Sequence, residues 1–98
     1  MYFELKQYGF FVHYCTPQET LIMLHLRSKL AAAVHILNEQ ERFELISYDR
    51  LLLHKANGFY KQLQHIPSFS PSVYPIEEWW WHLDQVIDGS LHIHLPIA

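Results

Sequence analysis

TPQETLIMLHLRSKLAAAVHIL, residues 16–37, is the stretch whose reading decides the fold. Two readings compete for it. Thr16-Pro17-Gln18-Glu19 matches a capping box with proline at the first helical position. Ala31-Ala32-Ala33 then favours helix, so propensity alone supports a helix through Leu37. The other reading is two strands, residues 20–26 and 30–37, with Asn38-Glu39-Gln40 turning the chain into a third strand over 42–48.

Upstream, residues 1–15 carry a strand-like pattern. Phe3 and Leu5 alternate with Glu4 and Lys6, and Val12 and Tyr14 alternate with His13 and Cys15. Gly9 between them suggests a turn or bulge.

Downstream the spacing becomes helical. Leu52, Ala56, Phe59, Leu63 and Ile66 follow a 4-3-4-3 rhythm, with Asp49 as the expected cap. Residues 66–75 hold three prolines and three serines, the signature of a loop. A second helix is expected beyond it. Pro75 suits the first turn, Glu77 and Glu78 suit the positive end of a helix dipole, and Gly89 is placed to end it.

That segment carries Trp79, Trp80 and Trp81 in succession. Neighbours on an α-helix are about 100° apart. Trp79 and Trp80 fall on the apolar stripe with Ile76, Leu83 and Ile87, whereas Trp81 falls off it, towards Glu77, Asp84 and Asp88. Trp81 is therefore expected to face solvent or a partner, as tryptophans at binding hot spots do, unless residues 91–97 cover it.

Composition limits the function. The chain has 98 residues, half of them hydrophobic, and a net charge of −3 with neutral histidines. A net negative charge argues against binding driven by phosphate neutralisation. A single cysteine, Cys15, has no internal disulfide partner, which fits a reducing cytoplasm. No signal peptide and no apolar run long enough for a membrane span are evident. Nucleotide-loop and metalloprotease motifs are absent, and Glu77 and Glu78, adjacent on a helix, would point apart rather than act as a paired acid and base. His13/Cys15 and His92/His94, each spaced i, i+2, would put four metal-compatible side chains together only if two strands were neighbours. The simpler arrangement leaves these histidines on a solvent face, and neither a metal nor a cofactor is expected.

The segment Arg42-Phe43-Glu44-Leu45-Ile46-Ser47-Tyr48 resembles a strand of the PipX family, the cyanobacterial PII-interacting regulators, which reads R-F-E-V-I-P-Y. Tyr8-Gly9-Phe10-Phe11-Val12-His13-Tyr14-Cys15 is similar to that family's first strand. Lys29-Leu30, with Val34 beyond, aligns with its basic-then-apolar central strand. The likeness covers roughly residues 8–88. It implies a small Tudor-like, SH3-like β-barrel over residues 1–48, then a helical hairpin and a short terminal strand over 49–98, packed as one unit of α+β class. It further implies a non-catalytic cytoplasmic regulator in nitrogen metabolism. The partner would be the PII signal protein, the transcription factor NtcA, or an assimilation enzyme such as ferredoxin-dependent nitrite reductase, with homo-oligomerisation also compatible. His25, Leu26, Arg27 and Lys29 would form the partner-binding barrel face, joined by Trp81. The family's binding tyrosine is replaced by Leu26 and an arginine by Lys29, and the triple tryptophan is foreign to the family pattern. The alternative function is a histidine-rich protein that responds to metal or pH.

Overall fold

Read at helical spacing, Leu5, Tyr8 and Val12 fall on one side of the N-terminal segment, and all three are fully buried. The computed structural model, which describes residues 2–93, places them on helix α1 (Tyr2–Tyr14). The remaining α-helices are α2 (Thr20–Ala32), α3 (Glu39–His54), α4 (Ala56–Gln64) and α5 (Leu83–Asp88). Short 3-10 turns occupy Pro17–Glu19, Val34–Ile36, Pro71–Val73 and Trp79–Trp81. Among the described residues there is no strand.

Each boundary has a local cause. Before α2, the Glu19 carboxylate accepts from the Thr16 backbone N–H at 3.0 Å and from its hydroxyl at 2.7 Å. Asn38 and Glu41 form a complete capping box ahead of α3. The Glu41 N–H donates to Asn38 Oδ1 at 2.8 Å, and the Asn38 N–H donates to Glu41 Oε1 at 2.9 Å. Two reciprocal caps satisfy donors that a helix start leaves orphaned. Lys55 marks the break between α3 and α4, and its ammonium reaches across to the carbonyls of Val12 at 3.0 Å and His13 at 3.3 Å. A cation on the last carbonyls of α1 is favourable for hydrogen bonding and for the helix dipole. Gly89 ends α5 with φ of 84°, the left-handed conformation expected of a glycine C-cap.

Helix α1 packs against α2 and α3, while α4 packs against α2 and α5. One apolar cluster unites them, running from Leu5 and Val12 through Met23, Leu30, Leu45 and Leu52 to Phe59, Leu63 and the tryptophans. The stripe expected on the pre-linker helix is buried at Leu52, Ala56, Phe59 and Leu63, but it is divided between α3 and α4.

The α+β expectation is corrected. The Tudor-like, SH3-like barrel is absent: the segments proposed as its strands are α1, α2 and α3. The decisive reason is that the local caps and the burial pattern agree. Leu45, Asp49 and Leu52 recur at helical spacing and are buried together, whereas a strand would turn alternate residues outward. The proposed boundary at residues 48 and 49 falls inside α3. Asp49, expected as a cap, sits in the interior of that helix and is buried. The expected helix from Pro75 contracts to the Trp79–Trp81 turn and α5. Leu91, His92 and Ile93 form no strand, and the rest of the proposed terminal strand lies outside the described residues.

Gly9 and Gly58 offer opposite tests of the same change. A Cβ at Gly9 would collide with the Tyr48 ring, which lies against the α1 backbone. A Cβ at Gly58, on α4, meets nothing within 4 Å. Gly9→Ala should destabilise by about 1–3 kcal/mol through overpacking. Gly58→Ala should stabilise by about 0.5–1 kcal/mol through the glycine's unfolded-state entropy. Urea denaturation of the two variants checks both signs.

Candidate functional site

Three polar side chains meet inside the bundle. Arg27 of α2 donates from Nε to Asp49 Oδ1 at 2.8 Å and from Nη2 to Oδ2 at 3.0 Å, a two-pronged pair with α3. Tyr8 of α1 donates its hydroxyl to Asp49 Oδ1 at 2.6 Å. The Arg27 guanidinium also lies 4.2 Å from the centre of the Trp80 ring. One arginine thus joins three helices and the tryptophan segment. Burial, reinforced by the Asp49 charge, raises the Tyr8 phenol well above its ordinary value. The group stays protonated and acts as a donor.

A second polar centre organises the tryptophans. Ser28, one residue along α2, donates to Glu78 Oε1 at 2.6 Å. Its oxygen accepts from the indole N–H groups of both Trp80 and Trp81, each at 2.9 Å. Trp81 also reaches Glu78 Oε1 at 3.1 Å. The Trp81 ring lies parallel to Tyr74, with centroids 3.7 Å apart and planes within 4°. Phe69 stacks at 6.1 Å and His25 meets its edge at 4.9 Å. Exposure is 9% at Trp79, 3% at Trp80 and 1% at Trp81. The expectation that Trp81 faces solvent or a partner is therefore corrected. On a surface α-helix a residue off the apolar stripe would face outward, whereas these residues sit on a 3-10 turn packed against α2 and α5, with the proline-rich loop folded over Trp81. The cover comes from Tyr74, Phe69 and His25.

The other expected site residues separate. Arg27 is buried in its ion pair and presents no binding face, a correction with the barrel itself. His25 is exposed, with its ring against Trp81, and Leu26 is half-buried against the apolar core. Lys29 is exposed and pairs with Glu4 at 3.6 Å. His13 lies in the last turn of α1 and Cys15 just past its end, so neither is on a strand whose alternation would bring them to one face. His13 bonds through Nδ1 to the Gly9 carbonyl at 2.8 Å. The Cys15 thiol donates to the Thr16 carbonyl at 3.3 Å, and burial raises its pKa, which disfavours the nucleophilic thiolate. His94 lies outside the described residues, and among those described no three of His, Cys, Asp and Glu gather as a metal site would require. No helix among them is long and apolar enough to cross a membrane.

Helix α1 has an unexpected second apolar face. Phe3, Phe10 and Tyr14 are 71%, 57% and 70% exposed. At helical spacing they cluster on the side opposite Leu5, Tyr8 and Val12. Helices α1 and α2 run antiparallel, as the Lys29–Glu4 pair and Cys15 beside Thr20 require, and α2 carries an exposed apolar residue of its own, Ile22. The signal was present in the sequence: the strand reading assigned Phe3 and Leu5 to one face, whereas helical spacing assigns them to opposite faces.

Comparisons with protein-family models, with curated proteins and with solved structures return no match.

The buried network makes a prediction for stability. Asp49→Ala leaves the Arg27 guanidinium without its counter-charge and should cost about 3–5 kcal/mol. The Tyr8 phenol, its folded pKa raised above the unfolded value, contributes stability that is full below about pH 10 and is lost as pH rises through the folded value. Denaturation profiles between neutral and strongly alkaline pH should therefore fall above that point, and Tyr8→Phe should make the decline shallower.

Proposed function

We propose that the protein is a non-catalytic interaction module that receives an apolar, acid-flanked helix of a partner protein along the outer face of α1. The observation that supports this is the exposed row of Phe3, Phe10 and Tyr14, set opposite the core-facing side of the same helix. More than half of each ring stays in water after folding, and aromatic residues are enriched where proteins bind. Spacings of seven and four residues make one continuous ridge along α1, against which a partner helix can pack side by side.

The charges beside the row define the partner's sign. Lys6 pairs with Glu44 on one flank, and Lys29 pairs with Glu4 on the other. The lysine is the outer member of both pairs, with side-chain exposures of 45% against 23% and 63% against 22%. An approaching surface meets ammonium groups first, so acidic flanks are favoured and basic ones opposed. The PII, NtcA and nitrite reductase partners were implied through a barrel face that this chain does not form, and α1 offers a partner a different surface.

A photo-crosslinking residue in place of Phe10, used in the native cell, identifies the partner. Calorimetry with that partner purified then tests the face. Phe10→Asp should weaken binding by about 2 kcal/mol or more while changing folding stability by no more than about 0.5 kcal/mol. Lys29→Glu should weaken it further, with less effect at high salt. Unchanged affinity in Phe10→Asp would remove this face. Self-association abolished by the same substitution would make a second copy the occupant.

A further inference from the structure

A separate pocket lies at the other end of the bundle, between α4, the proline-rich loop and α5. Its volume is about 350 Å³. Tyr60, Phe69 and Trp81 contribute aromatic walls, Leu63 and Leu83 line its apolar interior, and Asp84 lies among the lining residues. None of the lining residues belongs to α1 or α2, so the pocket is independent of the face proposed above.

Asp84 is the charged member of the lining, and no lysine, arginine or histidine joins it. It is half-buried, and it has no salt bridge or hydrogen bond among the described residues. Every other carboxylate packed into the bundle is answered: Asp49 by Arg27 and Tyr8, Glu78 by Ser28 and Trp81. A carboxylate left unanswered beside apolar walls favours a cation brought from outside. Aromatic faces favour the same charge, and they prefer cations that are weakly hydrated and carry apolar groups.

We infer that this pocket binds a small organic ammonium ion, its cationic head beside Asp84 and against the rings of Tyr60 and Phe69, its apolar part against Leu63 and Leu83. A bare metal ion lacks the apolar surface to use these walls, and a neutral hydrocarbon leaves Asp84 unanswered. The walls are also well placed. The proline-rich segment, expected as a simple linker, holds Phe69 by stacking it on Trp81. The Trp81 indole is in turn fixed by Ser28 and Glu78.

The test uses the full chain and two probes of nearly equal shape, (4-hydroxyphenyl)trimethylammonium and 4-tert-butylphenol. Isothermal calorimetry should show the cation binding at least about fivefold more tightly than its neutral counterpart. That preference should disappear in Asp84→Asn. The Trp81 indole N–H resonance should shift on binding, which locates the probe. Tyr60→Leu, which keeps apolar volume and removes a ring, should weaken the cation more than the neutral probe, and it serves if Asp84→Asn fails to fold. Equal or tighter binding of the neutral probe would overturn the ammonium assignment. No binding of either probe at millimolar concentration, or binding that leaves the Trp81 resonance unmoved, would overturn the site.

Discussion

The ion pair between Arg27 and Asp49 is the constraint on which the bundle depends. Both groups leave water on folding, a step that costs several kcal/mol for each ion before their attraction offsets it. The arrangement succeeds because two parallel N–H donors of Arg27 meet both carboxylate oxygens, Tyr8 adds a third donor, and Trp80 offers its ring face to the guanidinium. These demands are directional. An apolar core tolerates a helix sliding by a fraction of a turn, whereas this cluster holds α1, α2 and α3 at one axial register. Arg27 Nη1 remains buried without a partner, so the network is tight but not fully satisfied.

From that register the second layer follows. Ser28 is adjacent to Arg27, so fixing the arginine also fixes the oxygen that receives two indole N–H groups. Trp80 touches both centres, with its ring against Arg27 and its N–H on Ser28. Between α4 and Ile93 the chain carries little regular structure, yet its aromatic side chains wall one side of the bundle. Polar groups of the helices determine where that wall attaches, and apolar area supplies most of its adhesion. Thr20, fully buried on α2, donates to Gln62 of α4 and extends the same principle to the fourth helix.

Several parts of this architecture were legible from residues alone. The capping signature at Thr16 and Glu19, the stripe from Leu52 to Leu63, the glycine stop at Gly89 and the burial of Trp79 and Trp80 all have local causes. The N-terminal half was misread because α1 is apolar on two faces. Phe3, Leu5, Val12 and Tyr14 then alternate with Glu4, Lys6, His13 and Cys15 as a half-buried strand would, and periodicity cannot separate the cases. The Asn38–Glu41 box could have corrected the reading of α3. Arg27 and Asp49 were harder to foresee. A charge on an apolar stripe looks like a surface residue or a cap until its partner, 22 positions away, is known. Trp81 failed for a related reason: whether an indole is covered depends on a loop whose path no local pattern specifies. The pocket beside Asp84 joins α4, a loop and α5, and so has no contiguous signature.

The concentration of all three indoles on one turn also divides the molecule optically. Trp79, Trp80 and Trp81 occupy a single segment, while the helical backbone is spread across α1 to α5. Tryptophan emission, excited at the red edge where tyrosine does not absorb, therefore reports on the docking of that segment against Ser28 and Tyr74, and far-ultraviolet dichroism reports chiefly on the helices. A partly opened state, with the aromatic wall lifted and the three-helix register retained, would keep its helical spectrum and lose its aromatic one. The chain thus carries a built-in means of telling loosening of the wall from melting of the bundle, without any added label.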